Sequence, residues 1–311
     1  MNPFFSSAEF RPRALIRLVL FLFLSFFTLG VSTVATNEVL EFTIRAVSIA
    51  GLFYVFIRFI DLREFKSIGL NVNRLWVKEL IFGFFAAGLT MLGIFVYEYL
   101  SGDIEIIGFG WESISNDIWF LPIAVFFVKM MSVGFYEEVV FRGYVLPNLK
   151  EGLTILKITP AQATIAAVLI SSGVFGFAHY GNPNATIFAV LNIVLAGVML
   201  SIPLILTGRL ALSIGLHFGW NFFQGGVFGF RVSGQSVRHS IIEIQQGGNE
   251  LWTGGSFGPE GGAIGVLGVI FLMIVTLVYI RKIKGDFGLH DAYKGTFIEN
   301  QESLLKADEL T

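Results

Sequence analysis

The sequence contains no cysteine and few charges. Without cysteine there is no disulfide framework, no thiol nucleophile and no thiolate metal site. Charged residues make up 14% of the 311 positions, where a soluble domain carries roughly 25%. Apolar residues make up 54%, and 34 of them are phenylalanine. The net charge of −2 carries little information, because in an apolar chain of this kind the placement of charge matters more than its sum. No nucleic-acid partner is expected.

The apolar residues are gathered in blocks of about 20, the length of helix that crosses a bilayer. The blocks run from about Ala14 to Ala35, Val39 to Ile60, Leu80 to Leu100, Ile118 to Leu149, Pro160 to His179, Thr186 to Leu206, Leu210 to Phe223 and Ala263 to Ile280. The first is too long for the apolar stretch of a signal peptide and reads as a retained span. The fold expected is therefore all-α, a polytopic membrane helix bundle of about eight transmembrane helices. Pro203 should kink or break the sixth helix. We divide the chain into an N-terminal region of three spans (1–117), a core of five spans (118–284) and a flexible cytoplasmic tail (285–311). With eight crossings, Arg11, Arg13, Arg17, Arg63, Lys66, Arg74, Lys78, Lys150, Lys157, Arg209, Arg281, Lys282 and Lys284 fall on one face. The other face keeps only Arg231 and Arg238, with loop acids such as Asp103, Glu105, Glu112 and Asp117. That asymmetry puts both termini in the cytoplasm of a multi-pass protein, with the lipid bilayer as its solvent.

Three apolar blocks carry protonatable or amide groups. Glu137, Glu138 and Arg142 lie in the fourth, His179 ends the fifth, and His217 and Asn221 lie in the seventh. Ionised groups are costly in hydrocarbon and are seldom left there without a partner or a task. Positions four apart share a helix face, so Glu138 should stand beside Arg142 and His217 beside Asn221. Glu137 points about 100° away from Glu138, which leaves it as the free carboxylate. A carboxylate or imidazole can take a proton from water, and an imidazole or amide N–H can stabilise an oxyanion. Depth is harder to reconcile. Glu137 and His179 lie about 20 and 27 Å along their helices from the basic face, but His217 only about 12 Å. Each polar group also has a plain reading: an i,i+4 pair that neutralises itself, histidines that pack, Lys129 snorkelling to an interface.

Glu137-Glu138-x-x-x-Arg142, Phe175-x-x-x-His179 and His217-x-x-x-Asn221, in that order on apolar segments, resemble the CPBP family of CAAX proteases and bacteriocin-processing enzymes, also called the Abi family. The resemblance covers roughly residues 118–280. The Gly-rich stretch from Thr253 to Gly262 is similar to a segment of bacterial members. The resemblance implies an intramembrane endopeptidase that cleaves near the C-terminus of a membrane-tethered or prenylated (CAAX-like) protein or peptide, in a bacterial cell membrane. It implies that Glu137 activates the attacking water, assisted by His179. His217 and Asn221 would form the oxyanion hole, and Glu138 and Arg142 would support the site. The family has been described both as glutamate-dependent and as zinc-dependent. A metal-free site is favoured here, with zinc kept open as a cofactor that Glu137, His179 and His217 would ligate. Two further readings stand beside this one: a non-catalytic membrane scaffold or immunity protein, and a proton-coupled transporter, since buried Glu, Arg and His also build proton relays.

Overall fold

The computed structural model describes residues 5–6, 10–63, 68–113 and 118–295. Lys66, Asp117 and the tail from Thr296 onward lie outside them. Two short strands, β1 (Phe5–Ser6) and β2 (Arg11–Pro12), lead into α1 (Ala14–Ser32) and α2 (Glu38–Val55), which is extended by a π-helical turn at Phe56–Ile60. Then come α3 (Arg74–Ser101), β3 (Ile104–Phe109), the short α4 (Gly110–Ser113), α5 (Leu121–Glu138), a π-helical segment Val139–Val145 and α6 (Leu146–Leu153). The chain continues through α7 (Pro160–Ala178), α8 (Ile187–Thr207) and α9 (Ala211–Asn221), the last extended by π turns at Phe222–Val227. It closes with β4 (Ile242–Gln246), α10 (Glu250–Thr253), α11 (Ala263–Lys284) and α12 (Asp291–Lys294). This is a polytopic helical bundle.

Local signals fix the helix ends. Asn37, Asn73 and Thr186 accept a backbone N–H three residues on, and Thr159 and Gln162 form a reciprocal capping box ahead of Pro160. These side chains satisfy donors that the first turn leaves unpaired. At the other ends Gly102, Gly208 and Gly285 turn the chain in the left-handed conformation, which costs glycine nothing. α8 runs through Pro203 to Thr207, whose hydroxyl donates to the Pro203 carbonyl. Of the kink or break expected at that proline, the break does not occur.

Among the described residues, six helices are long and apolar enough to cross a membrane: Ala14–Ser32, Glu38–Ile60, Arg74–Ser101, Pro160–Ala178, Ile187–Thr207 and Ala263–Lys284. The other two blocks, built into α5 and α9, are the ones that hold Glu137, Glu138, His217 and Asn221. They are set apart by charge or by length, and α9 shows why this is tolerated. Every residue from Ala211 to Asn221 is buried. A helix sheathed in protein need not match the bilayer's thickness.

The sheath is closest against α3. A Cβ on Gly215 would stand 2.2 Å from the Leu80 carbonyl oxygen, and one on Gly219 2.4 Å from that of Phe84. Membrane helices gain most of their cohesion where small residues let backbones touch. Here that seam carries His217 between its two glycines.

Two sets of long-range contacts define the ends of the bundle. At one end Arg17 bridges to Asp61 at 2.7 Å and also to Glu151. Arg63 reaches Glu151 at 2.5 Å, and Tyr144 donates to Asp61 at 2.7 Å. Leu210 N–H donates to Gly69, and Arg209 pairs with Glu79. The first residues of the tail dock here as well: His290 N–H donates to Ile205, and Tyr293 is buried. Burial of that tyrosine anchors a stretch expected to be mobile. At the opposite end β3 pairs antiparallel with β4 in the register Ile104 to Gln246 and Phe109 to Ile242. Asn182 donates to Ser233, and Asn184 to Ser256. These contacts gather the connecting loops at two opposite ends.

Gly219→Leu should overpack the α3–α9 seam and cost about 1–3 kcal/mol or more, read as a lower melting temperature in detergent. Gly93→Leu, at a glycine of α3 with nothing within 4 Å of its Cβ position, should leave it unchanged.

Candidate functional site

The three motifs converge. Glu137, His179, His217 and Asn221 line one cavity of about 610 Å³, while Glu138 and Arg142 are buried behind it. The i,i+4 relation expected from sequence is present: Arg142 Nη1 donates to Glu138 Oε1 at 2.9 Å. The same oxygen meets His217 Nδ1 at 2.8 Å. Arg142 also donates through Nη2 to the Gly197 carbonyl at 3.1 Å and lies 4.3 Å from the centre of the Phe175 ring. One carboxylate therefore ties α5 to α9, and its arginine ties both to α8 and α7. Buried ions are tolerated when they are paired and hydrogen-bonded in this way.

The wide turn of Val139–Val145 follows Glu138 directly, and that of Phe222–Val227 follows Asn221. π-Helical turns inside membrane helices are frequent at functional positions. Here each sits one residue beyond a polar group aimed at the site.

Phe175 explains the spacing of its motif. Its carbonyl oxygen lies 2.8 Å from His179 Nδ1. A carbonyl can only accept, so Nδ1 carries the hydrogen and the neutral ring presents the Nε2 lone pair. The Phe175 ring stands edge-on to both imidazoles, with centroids 4.9 Å from His179 and 5.9 Å from His217. For His217 the donor also has to be Nδ1, since an ionised Glu138 can only accept. Its Nε2 faces Glu137 Oε2 across 3.8 Å. Glu137 Oε2 is buried and makes no hydrogen bond to the protein. The two acids differ in their contacts: Glu138 Oε1 is bonded to Arg142 and His217, whereas Glu137 has only the longer approach of its Oε2 to His217.

Among the described residues, no three His, Asp or Glu side chains are gathered at a spacing that would hold a metal ion. The Nδ1 atoms of His179 and His217 are committed to Phe175 and Glu138. Those bonds leave both Nε2 atoms open, and a ring held through Nδ1 in this way can accept a proton or ligate a metal.

Sequence reasoning gave no role to Glu260, in the Gly-rich stretch. It lines the same cavity. Its Oε1 accepts from Ser233 N–H at 2.5 Å, Gln224 Nε2 at 3.0 Å and the Ser233 hydroxyl at 3.2 Å, and its backbone carbonyl accepts from Asn192 Nδ2 at 2.7 Å. Burial raises the pKa of its carboxyl, and the donors of Ser233 and Gln224 oppose that rise. Asn192 also lines the cavity. An amide in so apolar a helix as α8, and a lone acid in a loop of glycines, were the signals that could have found these two.

A bundle that buries two imidazoles, carboxylates and amides around one cavity is the architecture of a membrane-embedded polar site. The comparisons place its core among known proteins. Residues 119–223 match the family model described as type II CAAX prenyl endopeptidase Rce1-like, so the resemblance to the CPBP family holds across the segment that carries the three motifs. The chain is 27% identical over 172 residues to the uncharacterized protein YyaK of Bacillus subtilis (strain 168), a match covering 54% of this chain and 53% of that protein. The chain thus spans about half the length of this curated relative. No solved structure matches.

Arg142→Met should leave Glu138 as a buried charge without its guanidinium and cost about 3–5 kcal/mol. The double variant Glu138→Leu with Arg142→Met should recover part of that loss in thermal unfolding. An Arg142→Met protein as stable as wild type would show that the pair does not hold the bundle.

Proposed function

We propose that the protein is an intramembrane endopeptidase that hydrolyses a peptide bond in a membrane-tethered protein or peptide, with a glutamate-activated water. The observation that carries this reading is the state of Glu137. Its Oε2 is buried, accepts no hydrogen bond from the protein and stands 3.8 Å from His217 Nε2, in a cavity it shares with two imidazoles and an amide. Glu138, Asp61 and Glu151 are each held by an arginine, which Glu137 is not. A carboxylate without such a clasp at a cavity wall is suited to a proton in transit.

The chemistry follows from the positions. Water held between Glu137 and His179 Nε2 attacks the scissile carbonyl carbon and gives its proton to the Glu137 carboxylate. The carbonyl electrons move to oxygen. That oxyanion is met by Asn221 Nδ2–H and by His217, whose imidazolium form donates through Nε2 as well as through Nδ1. Collapse of the tetrahedral species breaks the C–N bond, and the proton carried by Glu137 passes to the leaving amine. The products are a carboxylic acid and an amine, so atoms and charge balance. Glu138 and Arg142 act at one remove: they fix the His217 ring and its tautomer. Glu260, held by Ser233 and Gln224, brings a further carboxyl to the same cavity wall. Donors already aimed at the developing charge are the costliest part of such a site to lose, about 10²–10³ in rate for one of them.

The test is the set of protein C-termini in membranes containing wild type or Glu137→Gln. Wild-type membranes should hold truncated C-termini that are absent from the variant, and His179→Ala should behave like Glu137→Gln while both variants keep the wild-type melting temperature. Unchanged C-termini across all three would sink the reading. Glu260→Gln, which keeps an acceptor for Ser233 but loses the carboxyl, should lower kcat and alter the pH profile while leaving KM close to wild type.

A further inference from the structure

The cavity has a direction. Its lining comes from Leu22, Phe26 and Leu29 of α1, Glu38 to Arg45 at the start of α2, Phe126 to Val133 of α5, the end of α7 at His179, and Asn182, Ser233 and Gln235 of the loops. Every loop residue among its walls belongs to the end of the bundle that carries the β3–β4 pair. None comes from the end that holds Arg11, Arg63, Lys150 and Arg209. At that second end Trp76, Leu146, Leu204, Leu210, Ile214 and Tyr293 pack as one apolar cluster, beside a separate apolar pocket of about 240 Å³ at Leu70 and Val72, and the arginine–acid network clasps the loops.

The charge distribution assigns the two ends to the two sides of a membrane. The closed end carries nearly all the loop arginine and lysine, the marker of the cytoplasmic side. The open end carries Arg231 and Arg238. The cavity also reaches the flank of the bundle: Phe26 lines it and yet is 66% exposed, on a helix whose outer face meets lipid. The walls there are apolar, with Leu22, Leu29, Phe42 and Met130, and the charged groups near them are paired, Arg45 with Glu41 and Lys129 with Glu38 at 3.5 Å.

We infer that this site is entered from the extracytoplasmic half of the membrane, between α1, α2 and α5. Its substrate is then a membrane-anchored peptide whose scissile bond lies in the outer-leaflet half after translocation, not a tail tethered to the cytoplasmic leaflet. The substrate class deepens the proteolytic reading and rests on it; the direction of entry does not. An apolar anchor can slide along α1 from the lipid while its polar peptide bonds reach the imidazoles. A tail held at the cytoplasmic leaflet would meet the clasped end.

The absence of cysteine makes the test direct, since each introduced thiol is the single one in the chain. Intact cells expressing Ala178→Cys, Ser236→Cys or Lys282→Cys are treated with a charged, membrane-impermeant methanethiosulfonate, before and after permeabilisation. Ala178 stands beside His179 at the cavity wall, Ser236 is exposed at its mouth, and Lys282 is exposed at the opposite end. The first two thiols should react on intact cells, and the third only after permeabilisation. Ala178→Cys reacting only after permeabilisation would overturn the inference, as would Lys282→Cys reacting on intact cells. Gln235→Cys, also on the wall, decides the outcome if Ala178→Cys fails to fold. Repeating the labelling with Glu137→Gln separates the two ideas. An unchanged pattern there, with no proteolysis found in wild type, would remove the enzymatic reading and leave the direction of entry standing.

Discussion

The structure depends on one carboxylate. Glu138 is fully buried, and its Oε1 receives both Arg142 and His217. An isolated charge at that depth would be prohibitive, so the surroundings are built to hold it. Arg142 supplies the opposite charge, spends a further donor on a backbone carbonyl of α8 and stacks on Phe175. The helices that surround the cavity are thereby fixed to a common point. Orientation of His217, isolation of Glu137 and placement of Phe175 between two imidazoles all follow from that pairing.

Apolar packing does the complementary work. α9 is buried along its whole length, and its glycines let the backbone of α3 close on it. A helix surrounded by protein can be short, can carry polar groups, and can continue into a wide π turn without exposing its carbonyls to lipid. Lipid-facing helices in the same chain have none of this freedom, and they are the ones that carry long, nearly uncharged stretches. The division between membrane-spanning scaffold and polar interior is drawn by which helices touch lipid.

Much of this was readable beforehand. Hydropathy marked the blocks, because the cost of unpaired backbone in a bilayer leaves few alternatives to a helix. The i,i+4 rule anticipated Glu138 with Arg142 and singled out Glu137, because three-residue and four-residue spacings are fixed by helical geometry. Three features were not readable. The burial of His217 depended on α9 being sheathed, a property of its neighbours. Passage of α8 through Pro203 depended on a tertiary setting that propensity does not record. The part taken by Glu260 depended on a loop folding back so that Ser233 and Gln224 meet it, a contact that no local pattern encodes.

Sequence order gives the arginine–acid clasp a history. Arg11, Arg17, Asp61 and Arg63 all belong to the first two spans and their flanks, whereas Glu151 arrives only after α6. During synthesis the early group carries a surplus of positive charge. Once Glu151 emerges, it bridges to all three arginines and the surplus is drawn inward. One carboxylate thus rivets three arginines contributed by segments far away in sequence, and a substitution at Glu151 would release all three bridges at once.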